Sequence, residues 1–129
     1  MAKSDQPRPT DAELEILRVL WEHGPATVRE VHDRLNKTKP TGYTTVLKLM
    51  QIMADKGLVR RNEEQRAHVY SAVALREKTQ RQLVGDLLER AFAGSASQLV
   101  MQALATKRAS AAELAEIREI LEDFERAAG

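Results

Sequence analysis

Cysteine is absent from this 129-residue chain. Disulfides, thiolate metal sites and cysteine nucleophiles are thereby excluded, and a cytoplasmic location fits. Long apolar runs are missing too. Runs such as "LVM" at 99–101 fall far short of the about 20 residues a membrane-spanning helix needs. The opening "MAKSDQPRPT" holds no apolar signal core, so nothing points to secretion. Histidine is scarce: His23, His32 and His68 are the whole supply, and no two share ligand spacing on one helix, so no metal site is expected. Ser95, Ser97 and Ser110 fall in breaks or caps with no nucleophile motif around them. "GSAS" at 94–97 lacks the lysine and the preceding strand of a phosphate-cradling loop. Neither an enzyme nor a cofactor is expected.

Charge is present but nearly balanced, at a net +1, so whole-chain charge says nothing about nucleic acid. Its distribution is more telling. Between 36 and 61 six basic residues (Lys37, Lys39, Lys48, Lys56, Arg60 and Arg61) stand against Asp55 alone. Between 113 and 125 six acids stand against Arg118 alone. A basic middle and an acidic tail imply two working surfaces.

The apolar spacing yields the element order. Residues 1–9, with Pro7 and Pro9, read as a flexible arm. "TDAE" at 10–13 is a capping box, in which Thr10 caps the backbone and Glu13 reaches back. The helix it opens carries Leu14, Leu17, Val19, Leu20 and Trp21 and stops at Gly24. "TVRE" at 27–30 is a second box, opening a helix with Val28, Val31 and Leu35 inward. The breakers of "NKTKPTG" make a turn, and a third helix runs from about Tyr43 to Lys56, ending at Gly57. After Gly57 the period changes from 3.6 to 2. "LVRRN" and "AHVYSAV" read as a hairpin joined by "EEQR". Further helices fit 76–92, a short stretch through Leu99, Val100 and Leu104, and a last one after a third box, "SAAE" at 110–113.

The expected fold is therefore mainly α with a small β-hairpin: a winged helix-turn-helix over 10–73, then a helical region over 74–129. The C-terminal helices carry more apolar positions than they can bury among themselves. Leu83, Leu87, Leu99, Leu114, Ile117, Leu121 and Phe124 imply a core shared with a second copy of the chain.

On the third helix Tyr43, Val46, Leu47, Met50 and Met53 share one face, with Tyr43 expected in or at the edge of the core. Thr44, Lys48, Gln51 and Asp55 lie opposite. Hydroxyl, ammonium and amide groups of that kind bond base edges and phosphates in a major groove. Gly42 would let a duplex backbone approach, while Asp55 would repel phosphate and leave the N-terminal half to enter the groove. On the hairpin, neighbouring residues point to opposite faces. Arg66 is thus expected to reach DNA together with one of Arg60 and Arg61.

"TDAELEILRVLWEHGPATVREVHDRL", "GYTTVLKLMQIMADKGLVRR" and "RAHVYSAV" resemble the penicillinase-repressor and methicillin-resistance-repressor family over nearly the whole chain, with "YTTV", "KGLV" and the wing as the most specific parts. The resemblance implies a homodimeric winged-helix repressor on a palindromic operator of double-stranded DNA, with resistance or stress genes as targets. It places Thr44, Thr45 and Lys48 on the recognition helix, Arg66 on the wing, and the C-terminal leucines at the dimer contact; Lys39, Thr41, Gly42, Tyr43, Arg60 and Arg61 complete the candidate DNA-binding set. Members that answer β-lactams are cut by a membrane sensor peptidase at an Asn-Phe bond. Here Gln102-Ala103 stands at that place, which argues against such a partner. The cysteine-rich tail of a copper-responsive branch is missing as well. Two other readings share the element order: a winged helix that binds a protein partner, and a repressor that senses a small molecule.

Overall fold

A computed structural model describes residues 6–129. The elements run α1 (Asp11–His23), β1 (Ala26–Thr27), α2 (Val28–Asn36), α3 (Tyr43–Lys56), β2 (Val59–Asn62), β3 (Val69–Ala72), α4 (Arg76–Ala91), α5 (Ala96–Thr106) and α6 (Ala111–Ala128). The expected flexible arm lies outside the described residues as far as residue 5. Beyond it, Gln6 is tied down: its side chain donates to Thr79 Oγ1 at 3.0 Å, and Gln82 donates to its carbonyl at 2.7 Å.

Two of the three capping boxes close in full. Thr10 and Thr27 each accept from the backbone three residues on, and Glu13 and Glu30 each return a bond to the cap amide. Ser110 caps α6 through the amide of Glu113, which is the first half of the third box. Gly57 ends α3 at φ 86°, a left-handed conformation in which a Cβ would be strained.

The chain divides into two compact units between Val84 and Gly85, inside α4, whereas the expected boundary at 73/74 follows the end of the hairpin pattern. The first unit holds the core. Ile16, Leu17 and Leu20 of α1 pack with Val31 of α2, with Val46, Met50 and Met53 of α3, and with Leu58, Val59, Tyr70 and Ala74 from the sheet region. Each buried valine, leucine, isoleucine or methionine among them contributes about 1.5–3 kcal/mol by leaving water. Ile16, absent from the expected apolar set of α1, is fully buried, while Leu14, Val19 and Trp21 are half-buried.

The hairpin gains a strand that the sequence pattern did not announce. β1 pairs with β3, giving a three-stranded antiparallel sheet in the order β1-β3-β2. Ala26 faces Tyr70 and Thr27 faces Val69, while on the other side Arg61 faces Tyr70 and Arg60 faces Ser71. Two residues cannot display a period of two, and Thr27 is also the cap of α2, so its signal was absorbed by the helix.

The second unit comprises the end of α4 with α5 and α6, and neither α5 nor α6 has a buried residue. Ser95 caps α5 after a break in which Ala93 and Gly94 take positive φ.

Candidate nucleic-acid interface

Burial along α3 follows the wheel. Val46, Met50 and Met53 are sealed inside, and Leu47, Leu49 and Ala54 are half-buried. Thr44, Thr45, Lys48, Gln51 and Asp55 are exposed. Ile52, unremarked in the sequence, is 40 % exposed within that polar face. Tyr43 departs from its expected core position. It is 41 % exposed, its ring lying beneath the Arg29 guanidinium at 5.2 Å and meeting the edge of His32 at 5.8 Å. As the first residue of α3 it lies a turn short of the packing against α1, and α2 supplies its neighbours instead.

Between α3, the start of α2 and the hairpin runs a groove of about 390 Å³. Its lining includes Arg29, Tyr43, Gln51, Arg61, Arg66 and His68, and no carboxylate. The register explains which hairpin arginine enters. Arg61 lies opposite Tyr70 and shares its face with buried Val59, so it points to the groove. Arg60 lies opposite Ser71 and lines the other side of the hairpin. A hydrogen bond to Tyr70, and then the Glu63 carboxylate at 2.7 Å, push the Arg61 guanidinium further above its ordinary range. Arg61 therefore stays protonated, with Glu63 offsetting part of its charge at the floor of the hairpin. Arg29 and His68 were not on the expected list of contacts. Only the pairing of β1 with β3 brings the start of α2 to the hairpin, so no local pattern could have named Arg29.

Other expected residues lie elsewhere. Lys39 and Thr41 line a cavity of about 500 Å³ on the α1 side of the turn, where Lys39 Nζ approaches Glu15 at 3.9 Å. Lys56 is bound to Glu13 and takes no part in the exposed basic face. Gly42 caps α3 at φ −74°, a conformation open to any residue, and a Cβ there would meet only Thr45 Oγ1 at 3.7 Å. The fold does not require this glycine.

The penicillinase repressor family model matches residues 9–123. The chain belongs to the penicillinase repressor family. That is a family of transcriptional repressors, not of enzymes. The chain is 27 % identical over 117 residues to the penicillinase repressor of Bacillus licheniformis, covering 91 % of each protein. It is 32 % identical over 116 residues to the transcriptional regulator BlaI of Mycobacterium tuberculosis, covering 89 % of this chain and 83 % of that one. A solution structure of the monomeric form of Bacillus licheniformis BlaI in complex with the blaP half-operator superposes with a TM-score of 0.50 at 29 % identity, over 57 % of this chain and 89 % of that one.

In this member of the family, Gln102 and Ala103 lie in α5, both exposed. The expected dimer residues are unevenly placed. Leu83, Leu99 and Ile117 are half-buried. Leu87, Leu114, Leu121 and Phe124 are exposed, Phe124 by 71 %. No helix among the described residues is long and apolar enough to cross a membrane, and no group of acids and histidines there could hold a metal ion.

Proposed function

We propose that this chain represses transcription as a homodimer bound to an inverted-repeat DNA site. The groove between α3 and the hairpin carries the reading. Three guanidiniums and an imidazole line a channel whose own lining holds no carboxylate, although the chain as a whole is almost neutral. Glu63 pairs with Arg61 from outside that lining, which leaves Arg29 and Arg66 without an acidic partner there. A sugar-phosphate strand is the partner such a channel fits. Beside it Thr44, Thr45, Lys48 and Gln51 present donors and acceptors suited to base edges. BlaI of Bacillus licheniformis has been solved on a half-operator, which supports DNA as the ligand here.

The second copy is supported by the C-terminal unit. Leu114, Ile117, Leu121 and Phe124 recur at helical spacing on α6, and most of that stripe faces solvent in the single chain. Such an apolar stripe is stable when another copy covers it. Two copies would set their α3 helices in half-sites about one helical turn, or a multiple of it, apart. Joining the half-sites makes them one binding event, so loosening the dimer releases DNA. A cytoplasmic location accompanies this function.

Selection of fragments from the native genome by the purified chain tests the reading. The expected result is enrichment of inverted repeats upstream of genes. Recovery of no sequence above background at low ionic strength would sink it.

A further inference from the structure

His32 sits three residues beyond Arg29 on α2, and both touch Tyr43. The same imidazole reaches the connection that leads into α3. Its Nε2 lies 2.9 Å from the carbonyl oxygen of Thr41, and its Nδ1 lies 3.1 Å from Asp33 Oδ1. Thr41 is held from a second point, since its amide donates to Asn36 Oδ1 at 2.9 Å, and its hydroxyl turns back onto the Lys39 carbonyl at 2.8 Å. One residue of α2 thus grips the backbone two positions before α3 and the side chain of the first residue within it.

We propose that His32 is a positioning residue for DNA binding, setting the entry of α3 and the pose of Tyr43 against the duplex. The proposal rests on the DNA-binding reading above. Both ring nitrogens face acceptors. A neutral imidazole has one N–H and satisfies one of them, whereas the imidazolium satisfies both. The groups around the ring are the Asp33 carboxylate and Arg29 guanidinium of its own helix, the Thr41 carbonyl of the connection, and Tyr43 of α3. Asp33 is 60 % exposed, so water weakens that pair, and the part-buried bond to Thr41 does the holding. Losing the ring N–H that meets the Thr41 carbonyl should therefore weaken DNA binding.

The test compares the unaltered chain with His32→Gln and His32→Ala on a duplex recovered by genomic selection. Glutamine retains an N–H for the Thr41 carbonyl, and its affinity should match that of the unaltered chain. Alanine should bind roughly fivefold more weakly, the loss of one hydrogen bond. In the DNA-free chain, the Thr41 carbonyl carbon-13 signal should shift in His32→Ala and keep its place in His32→Gln. An alanine variant of unchanged affinity, a glutamine variant as weak as alanine, or a Thr41 signal indifferent to His32→Ala would each overturn the assignment. Should no duplex bind, the DNA-binding reading fails instead, and the Thr41 signal still decides whether His32 holds the connection.

Discussion

Lys56 Nζ lies 2.7 Å from Glu13 Oε1, and the carboxylate it meets is buried to 2 % exposure. Glu13 also closes the capping box of α1, so one side chain ties the start of α1 to the end of α3. Burial alone would raise its pKa from the ordinary 4.5, but the bonds from Lys56 and from the Thr10 backbone outweigh burial and lower it. A depressed carboxylate stabilises the fold above its unfolded value and loses that contribution as pH falls through the folded one. Glu13→Gln should cost about 2 kcal/mol at pH 7, less than for a fully buried pair because Lys56 is partly exposed. Below about pH 4.5 the variant should also lose stability less steeply than the unaltered chain. Urea denaturation at several pH values measures both.

Lys48 has no structural duty among the described residues and stands on the exposed face of α3. Lys48→Ala should leave the melting temperature unchanged and weaken binding to a selected duplex by about 1 kcal/mol or more, the scale of one base or phosphate contact. A gel shift with unaltered affinity would remove Lys48 from the reading face.

The two sides of the hairpin make a controlled pair. Arg66 lines the groove and Arg60 the opposite side. Arg66→Ala should weaken binding to all sequences and reduce the slope of log affinity against log salt by about 1, while Arg60→Ala should change that slope less. Equal effects would mean that a duplex reaches around the hairpin.

On α6, Leu121 is 55 % exposed, so an aspartate there costs the single chain little. Leu121→Asp should weaken self-association by about 2 kcal/mol or more through a buried unpaired charge. Sedimentation should then show single chains, with DNA affinity falling in parallel. An intact dimer would place the interface elsewhere.

Much of this was legible in the residues. Thr10 with Glu13, and Thr27 with Glu30, fixed two helix starts, Gly57 fixed the end of α3, and the switch of period after it announced the hairpin. What escaped depended on contacts remote in the chain. Tyr43 has the spacing of a core residue yet is exposed, because its neighbours Arg29 and His32 come from another helix. Lys56 counts as a basic residue in any tally, but Glu13, 43 positions away, takes its charge out of the exposed face. Arg60 and Arg61 are adjacent in sequence, and only the register against Tyr70 and Ser71 says which one enters the groove.

Residues 26–28 pass from sheet to helix without a spacer: Thr27 pairs with Val69 and in the same breath begins α2. The hairpin therefore cannot swing aside without prying open the first turn that carries Arg29. A gauge with stiff jaws does not mould itself to the rod it measures. Operators whose steps yield easily to bending or narrowing would seat at lower cost than rigid ones bearing identical letters at the contacted positions.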